Sequence, residues 1–322
     1  MSFARNLCVA AGAVAAMAGI AAAQEYPARE IRAICGYAAG SGADILVRYY
    51  SDRLSRLAGK PVIVENKAGA QGLIGTEFAA RARNDGYTIL ITPASANLAA
   101  APHLFKQLPY DPVKDFTAVA PIARLNFVFA VDGKSPIKTI GELVEHLKKK
   151  AENGSYGIGN NTGQVSSALF KEMAGLKTLA INYKSAAQAV TDLAGGQLDF
   201  MVWDATFMSG LARSGRIRLL TVTGASRSSA LPDVPTMAES GFPEFDLSAW
   251  WGVVVPAGTP KPIVDKLAGW IGQINASEET RQFLHNVATD VFSGTPESMA
   301  ALIKQDTERW ERYVKLAKIE PQ

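Results

Sequence analysis

The chain predicts a two-lobed α/β protein in which each lobe is a mixed, mostly parallel sheet flanked by helices, with a two-strand hinge between them. Three observations carry that expectation. Short Ile/Val/Leu-rich runs alternate with helical patterns along most of the sequence, the mark of βαβ units covered on both faces. Two longer apolar runs, 116–131 and 250–255, bracket a second alternating block. A chain that leaves one domain, builds another and returns would look like this. Roughly 300 residues follow an N-terminal leader, too many for one simple core. The expected division is 24–124 with 251–322 as a discontinuous first lobe, and 125–250 as the second.

The leader is residues 1–23. Arg5 supplies a positive start, 7–20 is an uncharged run of small and apolar residues, and Ala21-Ala22-Ala23 fits the small-residue rule for cleavage after Ala23. The run is short and alanine-rich, well below the ~20 strongly apolar residues of a membrane span. Export to the periplasm follows. The leader holds one of the 33 Lys and Arg residues and none of the 30 acids, so the mature chain has two more bases than acids. That weak balance argues against nucleic acid or a membrane surface as partner. Only Cys35 survives cleavage, so no intrachain disulfide forms, and its apolar strand makes it a small buried hydrophobe.

The elements follow in order. Residues 31–36 read as a strand, and 44–57 as an amphipathic helix stopped by Gly59 and Pro61. Strands at 62–65 and 88–92 flank a helix near 72–83. The second block gives helix 140–150, strand 156–159, helix 163–173, strand 179–182, helix 186–193 and strands 198–203 and 217–222. A proline-punctuated loop, 228–236, closes it. Beyond the run at 250–255 the chain reads as helical to its end, at 260–276, 278–287 and 296–318.

Two loops stand out. Between Ala38 and Ala43 no side chain is bulky, and Gly40 and Gly42 let the backbone curl. Strand, glycine turn and helix start together present unpaired N–H groups at the positive end of a helix dipole, a seat for a carboxylate or phosphate. A second such loop spans 154–167. Ligands of open α/β sheets bind at the carboxyl ends of strands, in a crevice. The plainer reading is an ordinary strand-to-helix turn. A dinucleotide site is the weaker rival, because neither G-x-G (40–42, 157–159) has the third glycine at fingerprint spacing.

Other residues carry two readings each. Asp44 is either a helix N-cap or a cleft residue, and Asp204 is either a cap for the helix after it or a ligand contact. Tyr37, Trp203, Trp250 and Trp251 either wall a pocket for an aromatic acid or pack the lobes together. Adjacent tryptophans on a strand face opposite ways, so at most one reaches a cleft. Lys184 and Arg124 are basic candidates for a second carboxylate, and Ser95, Ser166 and Asn161 are generic donors. Catalysis has little support: His103, His146 and His285 lie in separate elements, and no G-x-S-x-G, H-E-x-x-H or C-x-x-C is present. No metal-ligand cluster and no cofactor motif is visible.

Eight segments in order resemble the solute-binding receptors of tripartite tricarboxylate transporters, also called Bug receptors. They are YPARE-IRAIC (26–35), the small-residue loop with its Asp (40–44), VIVENKAGAQGLIG (62–75), DGYTILI (85–91), LPYDPVKDFTAVAPI (108–122), NYKSAAQAVTDLAGGQLDFM (182–201), ALPDVPTMAESG (230–241) and WWGVVVPAGTPKPIVDKL (250–267). The resemblance implies a type II-like periplasmic binding protein that captures a small organic carboxylate and delivers it to membrane transporter subunits. It implies capture mainly by backbone amides of two facing loops. From the first loop the ligand-binding candidates are Tyr37, Ala38, Gly40, Ser41, Gly42, Ala43 and Asp44. From the second they are Asn160, Asn161, Thr162, Gly163 and Ser166, and Ser95, Tyr183 and Asp204 complete the set. The sequence departs from the family pattern where the usual PFPPGGGTD reads GYAAGSGAD, and Ala43 removes a threonine hydroxyl beside Asp44. The aromatic residues tilt the ligand toward an aromatic or bulky acid. A monomer is expected. A ligand-sensing subunit for a membrane kinase and a secreted enzyme are the alternatives.

Overall fold

The computed structural model describes residues 26–183 and 185–321. The leader with its cleavage point, and the basic candidate Lys184, lie outside the described residues. The chain opens with β1 (Ile31–Cys35), α1 (Gly42–Ala58), β2 (Val62–Asn66), α2 (Leu73–Ala80) and β3 (Thr88–Thr92). A π-helical turn at Ser95–Ala100 runs into α3 (Ala101–Leu104). Then come β4 (Phe116–Leu125), β5 (Phe127–Asp132), α4 (Ile140–Lys150), β6 (Ser155–Ile158), α5 (Asn161–Met173), β7 (Leu179–Asn182) and α6 (Ala186–Ala194). The remainder is β8 (Phe200–Asp204), α7 (Ala205–Arg213), β9 (Ile217–Val222), β10 (Ala249–Pro256), α8 (Lys261–Ala276), α9 (Glu278–Asn286), β11 (Thr289–Val291) and α10 (Pro296–Leu316).

These strands form two sheets. The first has the order β11-β4-β10-β3-β1-β2 and the second β7-β6-β8-β5-β9. In the first, β1 pairs in parallel with β2 and β3, while β10 runs antiparallel to both β3 and β4. In the second, β6 is parallel to β7 and β8, and β5 is antiparallel to β8 and β9. Each lobe is thus a mixed sheet with helices, as expected, but neither sheet is mostly parallel, since the strands around the crossing (β4, β5, β9, β10 and β11) pair antiparallel.

Most elements fall where hydrophobic periodicity puts them, and the departures have local causes. The run at 116–131 is two strands, because the chain passes from the first sheet to the second at Asn126. The return runs through 223–248, where Leu247 N–H donates to Thr223 O and Thr223 N–H to Phe127 O. At this crossing Gly224 packs tightly: a Cβ there would sit 2.1 Å from Asn126 Oδ1, so the Asn126 side chain would have to move. The expectation of helix alone after 255 is wrong. Thr289–Val291 forms the edge strand β11, paired antiparallel to β4 from Thr289 opposite Leu125. Three residues between two helices are too few to show a period of two.

One buried apolar cluster runs from Ile89 and Val253 of the first sheet through Phe127, Phe129 and Phe200 of the second to Phe170 of α5. The lobes therefore share a core across the crossing. Helix α10 spans them as well. Its first half packs Met299 and Ile303 against Trp250, whose Nε1–H donates to the buried Asp306 at 2.7 Å. Its far end donates from Tyr313 to the carbonyl of Asp246, and Lys318 just beyond it pairs with Glu172 of α5.

Candidate functional site

Four segments follow directly from the carboxyl ends of parallel-sheet strands: the β1–α1 loop, the Ser95–Ala100 turn after β3, the β6–α5 loop, and the start of α7 after β8. This is where open α/β sheets place ligands. The two lobes meet here. Helix α5 packs against the Ser95–Ala100 turn, and the Cα of Gly42 faces Thr206, whose methyl would lie 3.9 Å from a Cβ at that glycine. The first loop thus faces the start of α7, and α5 faces the turn after β3.

The first loop is held by its own helix. Ser41, with extended backbone, is the N-cap of α1 and accepts from Asp44 N–H at 3.2 Å. The N-cap role considered for Asp44 therefore belongs to Ser41, because the helix begins two residues earlier than the apolar pattern shows. Asp44 is 2% exposed and acts inside the loop. Its Oδ2 accepts from Gly40 N–H and Arg48 Nε, and its Oδ1 from Asn66 Nδ2, each at 2.8 Å. Gly40 takes φ +78° to allow this. Burial alone would raise the Asp44 carboxyl. Arg48, Asn66 and the Gly40 amide outweigh it and hold the group below the usual carboxylate range. Asn66 also donates to Tyr37 O at 3.0 Å, so one side chain fixes both ends of the turn. The N–H groups of Gly42 and Ala43 remain without an intrahelical acceptor.

The second loop repeats the design. Asn160 caps α5 by accepting from Gly163 N–H at 2.7 Å, and leaves the amides of Asn161 and Thr162 free of intrahelical partners. Gly163 lets the first turn lie on β8, since a Cβ would come within 2.6 Å of Val202 O. Asn161, Thr162 and Ser166 are all buried. The hydroxyls of Ser166 and Ser167, and that of Thr92 at the end of β3, are buried without a hydrogen-bond partner among the described residues. Buried hydroxyls usually have one.

The remaining candidates divide by what their polar atoms already do. Ser95 is fully buried and its Oγ accepts from Trp250 N–H at 3.1 Å, which ties the turn to β10. Tyr183 donates to Asp192 at 2.8 Å while its ring flanks Gly157. Asp204 is the N-cap of α7, with Oδ1 accepting from Phe207 N–H at 2.9 Å. Desolvation raises its carboxyl above the usual range against the lowering effect of that bond. Tyr37 donates to Gln71 O, and its ring lies 6.3 Å from that of Trp251, tilted by 48°. Trp250 turns the opposite way to α10, and Trp203 covers Gly159. Arg124 is exposed and stacks over Phe292, 4.1 Å from the ring centroid. Asn66, Arg48 and Thr206 carry no signal in the sequence. Asn66 meets Asp44 across 22 residues, a pairing no local pattern marks.

Neither Ser41 nor Asp204 has a basic side chain in hydrogen-bond reach among the described residues. Ser229, His285 and Asp290 do cluster, but the carboxylate bonds the serine and not the imidazole, so no relay to a nucleophile is built.

A sequence profile of the tripartite tricarboxylate transporter family receptor matches residues 46–319. Protein BugT of Bordetella pertussis is 32% identical over 321 residues, covering 98% of each chain. A Rhodopseudomonas palustris protein solved with adipate superposes with TM-score 0.84 at 30% identity, over 92% of this chain and all of that one. MatC from the same species, with bound malate, gives TM-score 0.80 at 26% identity, over 90% of this chain and all of that one. This chain belongs to the tripartite tricarboxylate transporter receptor family, the Bug-type periplasmic solute-binding proteins.

Proposed function

We propose that this chain is a periplasmic receptor that captures a small organic carboxylate between its lobes and delivers it to membrane transporter subunits of the tripartite tricarboxylate type. The carrying observation is the pair of helix starts from opposite lobes, α1 and α5. Each is capped only at its third amide, so that two N–H groups at the positive end of each dipole stay available to an anion. The buried hydroxyls of Thr92 and Ser166, without partners among the described residues, supply further donors. Relatives solved with adipate and malate make dicarboxylates the first class to test.

The ligand carboxylate is assigned to the free amides of Gly42 and Ala43 in the first loop and of Asn161 and Thr162 in the second, with Ser166 beside them. Tyr37 and Trp251 offer a flat wall to an apolar or aromatic body. Asp204, capping α7 with one oxygen, leaves the other to accept from a ligand hydroxyl, acid proton or water. The lobes divide as 24–124 with 251–322, and 125–250, after cleavage at Ala23, and the receptor works as a monomer. Micromolar affinity needs about −8 kcal/mol, more than two helix termini at ~0.3–2 kcal/mol each provide. Charge-assisted hydrogen bonds and buried ligand surface supply the rest. The bound acid leaves unchanged, since no nucleophile with its base faces it among the described residues.

Thermal unfolding of the mature protein against mono-, di- and tricarboxylates, with the matching amides as controls, tests this reading. A ligand that binds only the folded state raises the melting temperature by mass action. A rise with one acid that vanishes on amidation is expected. Equal responses to acid and amide, or silence across the panel, would refute carboxylate capture.

A further inference from the structure

Between β2 and α2 the backbone takes positive φ at four residues in a row: Gly69 at +138°, Ala70 at +43°, Gln71 at +56° and Gly72 at +97°. Ala70 and Gln71 carry side chains, so this conformation persists only where the surroundings impose it. The surroundings are the start of the first loop and the turn after β3. Tyr37 donates from its hydroxyl to Gln71 O at 3.1 Å, with Asn97 Oδ1 a second acceptor at 3.3 Å. Thr76 donates to Gly72 O at 2.9 Å and accepts from Asn97 Nδ2 at 3.2 Å. Gly72 leaves no room for a side chain, since a Cβ would lie 2.4 Å from Asn97 Nδ2 and 3.0 Å from Tyr37 Oη. Asn97 is fixed in turn. It is buried in the π-helical turn Ser95–Ala100, its N–H donates to Pro93 O at 2.9 Å, and its carbonyl accepts from Tyr110 at 2.6 Å. Such turns are frequent at functional sites.

We propose that Asn97 and the Tyr37 hydroxyl are positioning residues for the carboxylate seat: they tie the strand end of the first loop to 71–72, and so keep the loop carrying the Gly42 and Ala43 amides ordered before a ligand arrives. The inference rests on the receptor reading above for its effect on affinity, though not for its first readout. Asp44 fixes the helix end of this loop through Gly40 N–H and Asn66. At the strand end Asn66 holds the carbonyl of Tyr37, a bond that leaves the tyrosine ring free to turn. The hydroxyl bonds stop that turning. Between the two ends lies only a turn of small residues, closed by Ser41 N–H donating to Ala38 O at 3.2 Å. A loop ordered in advance is spared the cost of ordering on binding.

Hydrogen exchange of the ligand-free mature protein gives the first readout. The Gly40 and Ser41 amides, bonded inside the loop to Asp44 Oδ2 and Ala38 O, report its order. In Tyr37→Phe they should exchange roughly fivefold faster, the effect of one lost neutral hydrogen bond, while α5 amides keep the parent's rates and thermal unfolding stays cooperative. Asn97→Ala should act in the same direction, and the tyrosine variant, lacking a single oxygen, carries the test if the asparagine variant does not fold. With malate or adipate as probe, Tyr37→Phe should bind roughly fivefold more weakly. Rescue separates positioning from contact. Ala39 is the second residue of a turn whose third, Gly40, has φ +78°, the type II pattern in which proline suits the second position. Adding Ala39→Pro to Tyr37→Phe should restore slow exchange and parental affinity together. Unchanged exchange in Tyr37→Phe, or weaker binding that the proline does not rescue, would overturn the positioning role. Failure of both acids to bind, with the exchange effect and its rescue intact, would support that role and count against the receptor reading alone.

Discussion

Asp44 shows how much one side chain can organise. Its carboxylate, almost wholly buried, draws a loop amide, an arginine and an asparagine onto two oxygens, so the first loop owes its shape to an anion already satisfied. Replacing it with alanine removes the acceptor shared by Gly40 N–H, Arg48 Nε and Asn66 Nδ2, with an expected loss of about 1–3 kcal/mol. Chemical denaturation would measure it. The folded carboxyl titrates below its unfolded value, so its contribution is full above the ordinary carboxylate range and is lost as pH falls through the folded value. The gap between parent and Asp44→Ala should narrow in acid. Asp204 has the opposite sign. Burial raises its folded value, so ionisation costs stability as pH rises between the unfolded and folded values. Asp204→Asn keeps an oxygen for Phe207 N–H and should unfold at or above the parent's denaturant midpoint at neutral pH. Asp204→Ala should lose about 1 kcal/mol with the cap.

At the scale of elements, the strand-to-helix transitions place the chemistry, and glycines set how closely they approach. At Gly163 an added Cβ meets the backbone oxygen of Val202, which cannot swing aside. Gly163→Ala should therefore lift the first turn of α5 off β8, cost about 1–3 kcal/mol as overpacking does, and weaken carboxylate binding. Gly42→Ala meets only a threonine methyl at ordinary contact distance and should unfold at nearly the parent's temperature. Calorimetry on the pair separates these outcomes. The same elements show what a sequence reveals. Both loops were legible, because a run of small residues between an apolar strand and an amphipathic helix marks backbone that must curl tightly into a helix start. The start of α1 was not, because Ser41, Gly42 and Ala43 carry no apolar signal and the cap is visible only from its hydrogen bond. Ser95 read as a ligand donor because its type suits one. The bond that its Oγ accepts, from Trp250 N–H, comes from 155 residues away and leaves no local signal.

For the whole molecule, alternation of strands and helices announced two α/β lobes, and the long apolar run marked the crossing, though not that Asn126 would divide it into strands of different sheets. Edge strand β11 and the reach of α10 onto α5 left no trace in periodicity, since both depend on where distant parts of the chain come to rest. These long-range contacts join the lobes around a common seam, with the amide-lined loops inside it. The central claim is that one carboxylate is held by amides of both lobes together. Backbone 1H–15N spectra of the mature protein during titration with malate or adipate test it most directly. The account predicts large shifts confined to 38–44 and 160–166, saturating along one binding curve, and absent with the corresponding amide. Shifts restricted to one lobe, or centred on the Arg29–Thr88 groove at the opposite end of the first sheet, would contradict it.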